Sequence, residues 1–228
     1  MDCHSGRYRC HGAGDTERAA PAALQAGENL MSWPAVTALL ILITYLTLFF
    51  WASSEVQRAA GQSVWLFGHA RGRDRLAALG FRLGFALAML GPVTAIVIPA
   101  QVTLPTGVNV AGVAMASLGM AVAFGAQMAM GTSWRIGVRA GSEGPLVTTG
   151  LFRISRNPTF LGQGILLAGT LLASPSVFTL IGFSVFAVAA SVQIGSEEFL
   201  LRRRYRETYD QWARQVPRWI GLGGRKSG

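Results

Sequence analysis

The sequence predicts an all-α, multi-pass transmembrane helical bundle of about five membrane segments. The last two form a tight helical hairpin, and a C-terminal cytoplasmic amphipathic helix follows. Three observations predict this. Hydrophobic residues make up 51% of the 228-residue chain and charged residues only 14%, where a soluble domain carries roughly a quarter charged. The apolar residues gather into long uncharged runs. The basic residues fall between those runs, and only in alternate connections. A net charge of +9 would by itself suggest nucleic acid, but charge parcelled out between uncharged spans points to membrane lipids as the partner and to no nucleic acid.

Residues 1–31 are polar and without period, and read as a disordered N-terminal tail. The tail holds both cysteines, in the pairs Cys3-His4 and Cys10-His11. That spacing matches no common zinc pattern, so no metal site is expected; translation from Met31 is an alternative start. Residues 32–134 read as the N-terminal transmembrane helices. Trp33 to Trp51 is uncharged, with an aromatic residue at each end as at a membrane interface. About 20 residues at 1.5 Å each cross the hydrocarbon core. The run is long for a secretory h-region and no basic residue closely precedes it, so a retained helix is expected. Leu83–Ala100 follows, with a kink expected at Gly91-Pro92. Val108–Trp134 is rich in Gly and Ala. Its Ala121, Gly125 and Ala129 stand at the four-residue spacing that lets helices approach closely, read here as packing.

Residues 135–228 form the C-terminal region. A polar segment, Arg135–Asn157, leads into Pro158–Ala173 and Val177–Gly195, separated only by Ser174-Pro175-Ser176; this is the hairpin. Arg and Lys number four in 52–75, none in 101–107, four in 135–157, none in 174–176 and eight in 197–228. By the positive-inside rule the basic connections and the C-terminus are cytoplasmic, consistent with a multi-pass protein of the cell inner membrane.

Two features resist explanation as packing. The stretch from Leu146 to Gly164 combines Gly150, Arg153 and Arg156 with Asn157, Pro158 at the first turn of a helix, Phe160, and then Gly162-x-Gly164 inside that helix. A glycine in a helix interior costs about 1 kcal/mol relative to Ala and is kept where a ligand or another backbone comes close. The second feature is Glu197-Glu198, adjacent carboxylates at the end of an apolar span, which need solvent, a partner or a ligand. Beyond them Leu201, Tyr205, Tyr209, Trp212 and Val216 recur at three- and four-residue steps, the pattern of an amphipathic helix.

Together these residues resemble the isoprenylcysteine carboxyl methyltransferase family and, more loosely, the phospholipid N-methyltransferases. Those families carry Gly-x-x-Arg-x-x-Arg-His-Pro-x-Tyr-x-Gly, an apolar hairpin, Glu-Glu-x-x-Leu, spaced aromatics and Val-Pro. Gly150, Arg153, Arg156, Pro158 and Gly162 fall in register, as do Glu197, Glu198, Leu201, Tyr205, Tyr209, Trp212, Val216 and Pro217. The likeness covers about residues 145–220. Asn157 stands where the family has His, Phe160 where it has Tyr, and Arg206 where it has Gly. Asn cannot titrate near neutral pH, so a proton shuttle at 157 is not available.

The resemblance implies S-adenosyl-L-methionine as cofactor and a lipophilic small-molecule or lipid acceptor (carboxylate, thiol or amine) entering from the bilayer. It implies Arg153, Arg156, Pro158, Phe160, Gly162, Gly164, Glu197 and Glu198 for the cofactor, with Gly162 and Gly164 leaving it room. Arg156, Asn157 and Arg218 are implied for catalysis. Two other readings share the scaffold: an NADPH-dependent membrane reductase, disfavoured by the Glu-Glu-x-x-Leu and Val-Pro-Arg-Trp ends, and a non-enzymatic membrane protein.

Overall fold

The computed structural model describes residues 15–61, 63–64, 72–98, 102, 104–136 and 145–220. The two Cys-His pairs lie outside them. Six α-helices are described: α1 (Asp15–Ala60), α2 (Arg73–Val97), α3 (Thr106–Met130), α4 (Pro158–Ala173), α5 (Val177–Tyr205) and α6 (Glu207–Gln215). No strand occurs among the described residues, only an isolated bridge in which the Ile136 N–H donates to the Val64 carbonyl at 2.8 Å. The protein is all-α and integral to the membrane: the first, second, third and fifth helices are long and apolar enough to cross a bilayer. At 16 residues α4 is shorter, about 24 Å at 1.5 Å per residue.

The chain divides into two compact units, Met1–Trp33 and Pro34–Gly228. In the first, helix replaces the aperiodic tail expected for residues 15–31. Ala, Glu and Gln sustain a helix without an apolar stripe, so periodicity alone does not find it.

The second unit holds everything else described below. Two helix pairs form its centre, α3 with α4 and α2 with α5, and both meet through glycine. A Cβ on Gly119 would collide with the Leu166 backbone, and one on Gly162 with the Ala123 backbone. A Cβ on Gly182 would lie 2.7 Å from the Ala88 nitrogen. Contact this close gains dispersion from backbone against backbone, the usual adhesive between membrane helices. The α3 stripe is Gly112, Ala116, Gly119, Ala123 and Ala126, all buried. Ala121 and Ala129, expected to pack, are exposed. Small residues form two stripes on this helix, and only the partner decides which is used. Helix α1 is held by aromatic and polar contacts instead. Tyr45 stacks on Phe85 at 5.8 Å, and Gln127 Nε2 on α3 donates to Ser53 Oγ at 3.0 Å. Large side chains such as Leu83, Leu118 and Val188 are exposed on the outer faces, as lipid contact requires.

The α4–α5 turn is closed by a reciprocal cap. Ser176 Oγ accepts from the Thr179 N–H at 3.1 Å, and Thr179 Oγ1 accepts from the Ser176 N–H at 3.0 Å. The second arm does not stop near Gly195; α5 runs on through Glu197-Glu198 to Tyr205. The expected helix from Leu201 to Val216 is instead broken at Arg206, which has φ 46° and separates α5 from α6. Tyr209 on α6 is fully buried and meets Trp212 edge-on at 5.6 Å.

Candidate functional site

The hairpin brings the start of α4 beside the charged end of α5. Pro158 is the first residue of α4, where its missing N–H costs nothing. Just before it, Gly150 takes φ +60° and opens a 3-10 turn, Gly150–Arg153, that redirects the chain into Ser155-Arg156-Asn157. Helix α5 carries Glu198 alongside. The Glu198 side chain is only 8% exposed and pairs with two guanidinium groups. Arg218 forks onto it, Nε to Oε1 at 3.1 Å and Nη2 to Oε2 at 2.5 Å. Arg156 Nη2 reaches Oε1 at 3.4 Å. A buried carboxylate is tolerated only with such compensation, which explains how α5 continues through two glutamates. The same Glu198 pairing holds the Arg218 guanidinium above its ordinary pKa.

In front of this ion chain lies a cavity of about 420 Å³, within the range of small-molecule and cofactor sites. Its charged and amide lining includes Arg82, Arg135, Arg156, Asn157, Gln163, Gln193 and Glu197. Its walls are aromatic: Tyr45, Phe49, Phe81, Phe85, Trp134 and Phe160. Glu197 Oε1 accepts from Gln193 Nε2 at 3.1 Å, and Gln163 Nε2 donates to Tyr45 Oη at 2.7 Å. Four residues lining the cavity also hold a buried polar atom without a partner. Two are acceptors, Gln163 Oε1 and Gln193 Oε1; two are donors, Arg156 Nε and Trp212 Nε1. Buried polar groups are normally satisfied; these four atoms belong to cavity-lining residues but have almost no accessible surface themselves.

Of the residues singled out in the sequence, Arg156, Asn157, Pro158, Phe160 and Glu197 line this cavity together. Glu198 and Arg218 stand behind Arg156 as its counter-ion and the partner of that counter-ion. Arg153 is exposed on the 3-10 turn and is not part of the lining. Gly162 is committed to α3, where the Ala123 backbone occupies the place of a side chain. Gly164 faces Phe186 and a second, apolar cavity of about 320 Å³, which shares Phe160 with the first. Phe160 stacks on Phe81, centroids 5.6 Å apart.

Gln163, Gln193 and Tyr45 line the same cavity and hold no specified position of a motif in the sequence. The two amides did carry a signal, since polar side chains inside apolar spans mark functional or buried-network positions.

Fold and site together define the class: an all-helical membrane protein with a cavity lined by charged, amide and aromatic side chains at one end of a helical hairpin. The phospholipid methyltransferase family model matches residues 108–208, a little under half of the chain. Over that stretch the chain is similar to the phospholipid methyltransferases, in line with the motif resemblance. The match takes in α3, α4, α5 and the opening of α6, and ends before the Val216–Trp219 segment. No curated protein matches the chain.

Proposed function

We propose that the protein is an S-adenosylmethionine-dependent methyltransferase of the membrane, acting on a lipophilic acceptor. The single observation that carries this reading is the cavity itself, lined by Glu197, Arg156 and the Gln163 and Gln193 side chains together with aromatic rings. When bound, S-adenosylmethionine supplies a methyl group on a sulfonium. Its amino group and ribose hydroxyls call for acceptors, which Glu197, Gln163 and Gln193 provide. Its carboxylate calls for a cation, which Arg156 provides as a charge-assisted donor. Tyr45, Phe81 and Phe160 offer π faces suited to a sulfonium and keep water from the transfer path. Methyl transfer is an in-line displacement, so alignment in a dry chamber supplies most of the advantage. A carboxylate, thiol or amine head would reach the cavity from the bilayer. The alternation of basic connections supports a cytoplasmic site and C-terminus in an inner membrane.

Calorimetry of the detergent-purified protein tests the reading. S-adenosylhomocysteine is expected to bind at micromolar affinity and NADP not to bind. Glu197→Ala is expected to weaken the former at least about ten-fold, the loss of one hydrogen bond to a charged group. Binding of NADP alone would replace the methyltransferase reading with a reductase, and binding of neither would favour a non-enzymatic role.

A further inference from the structure

The C-terminal segment beyond α6 does not trail away. The Arg156 N–H donates to the Pro217 carbonyl at 3.0 Å. The next carbonyl, that of Arg218, accepts twice, from Asn157 Nδ2 at 3.1 Å and from Ser155 Oγ at 3.2 Å. Ser155 Oγ in turn accepts from the Asn157 N–H at 3.1 Å. Asn157 is 8% exposed and Ser155 1%, so the donor side of these bonds is shielded, while Arg218 itself stands at the surface. The residue whose carbonyl is gripped here is the one whose guanidinium forks onto Glu198, and Glu198 is the counter-ion of Arg156.

We infer that Asn157 is a positioning residue: its amide clamps the Arg218 carbonyl and so holds, through Arg218 and Glu198, the Arg156 guanidinium at the cavity wall. The inference rests on the reading that the cavity takes S-adenosylmethionine. What position 157 must supply is an N–H aimed at a carbonyl. Only donation is required, so no proton has to be lost or gained. A carboxylamide meets that need, and so does an imidazole through a ring N–H. The His-to-Asn departure from the family pattern therefore keeps the property this site uses. A methyl side chain would leave the Arg218 carbonyl with Ser155 alone, and a carboxylate would set negative charge against it.

The test is S-adenosylhomocysteine calorimetry on the full-length protein, run as a cycle over Asn157→Ala, Arg218→Ala and the double variant, with Asn157→His as the conservative replacement. Asn157→Ala is expected to weaken binding about 5- to 20-fold, the scale of one buried hydrogen bond with its coupled partners. Asn157→His is expected within about three-fold of the native affinity, because the donor is retained. In the Arg218→Ala background, Asn157→Ala is expected to add less than about two-fold, since coupled groups are not additive. Hydrogen exchange is expected to quicken in peptides covering Arg156 and Val216–Trp219 in Asn157→Ala, and not in Asn157→His.

An undiminished Asn157→Ala effect in the Arg218→Ala background would mean that Asn157 touches the ligand itself, and would overturn the inference. So would native affinity in Asn157→Ala, or unchanged exchange in those peptides. If Asn157→Ala does not fold, Ser155→Ala removes the other donor to the same carbonyl and is expected to give about a two- to five-fold loss; no loss counts against the clamp. Absence of S-adenosylhomocysteine binding in the native protein would refute the cofactor reading instead, leaving the exchange measurement to decide the clamp on its own.

Discussion

Two glycines of one motif, Gly162 and Gly164, should respond to alanine with opposite sign. A Cβ on Gly162 would lie 2.8 Å from Gly119 O and 2.8 Å from Ala123 Cα, with the Ala123 nitrogen closer still. All of these are backbone atoms within helices, so none can swing aside as a side-chain tip would. Relief requires α3 and α4 to part. Overpacking of this kind costs about 1–3 kcal/mol, against about 1 kcal/mol gained in helix propensity. The net is a loss of up to about 2 kcal/mol. A Cβ on Gly164 meets only the Phe186 ring, at 3.8 Å, an ordinary contact. There the propensity gain stands almost unopposed, about 0.5–1 kcal/mol. The propensity gain is common to both, so the two variants should differ by the overpacking cost, about 1–3 kcal/mol, or about 2–12 °C in Tm for a chain of this size. Thermal unfolding in detergent, followed by circular dichroism, measures it. Equal Tm values, or a lower Tm for Gly164→Ala than for Gly162→Ala, would refute the assignment of Gly162 to helix packing. A stable Gly164→Ala protein that no longer binds S-adenosylhomocysteine would instead show that the cofactor needs the open space at 164.

Two further predictions concern α6. Arg206 holds φ 46° between α5 and α6, a conformation costing a non-glycine residue about 1–3 kcal/mol; Arg206→Gly should raise Tm by a few degrees, and a fall would show that the side chain compensates the strain. Burial, with Glu198 adding to it, pushes the Tyr209 phenol up to about 12, against an ordinary value near 10. The folded state therefore favours the protonated phenol: its contribution is complete below about pH 10 and is lost as pH rises toward 12. Tyr209→Phe should flatten the fall in unfolding midpoint between pH 10 and 12. It should also match or exceed native stability at pH 7, because the buried hydroxyl has no partner. A large loss at pH 7 would contradict this.

The fold class, the hairpin and its Ser-Pro-Ser turn were legible because each rests on local pattern: uncharged length, turn residues and charge alternation. So was the meeting of Arg156, Asn157, Pro158 and Phe160 with Glu197, since a short hairpin returns the end of its second arm to the start of its first. What was not legible is whatever depends on a partner's face. Gly162 and Gly164 are equivalent in sequence and are separated only by the position of α3. Ala121 and Ala129 are small residues at helical spacing like those of the stripe that packs, but they are exposed. Glu198 looks like a helix end until Arg218, twenty residues on, is seen to neutralise it. The grip of Asn157 on the Arg218 carbonyl joins the 146–164 motif to a segment outside the family match, and no periodicity encodes it. Gln163 and Gln193 could have been found, as isolated amides within apolar runs.

The central claim is that the cavity between Arg156 and Glu197 holds the cofactor. Ultraviolet crosslinking of methyl-tritiated S-adenosylmethionine to the purified protein, followed by peptide mapping, tests it most directly. Label is expected in peptides spanning Arg156–Gln163 or Gln193–Leu201, competed by S-adenosylhomocysteine and lost in Glu197→Ala. Label confined to other peptides, or unaffected by Glu197→Ala, would contradict it.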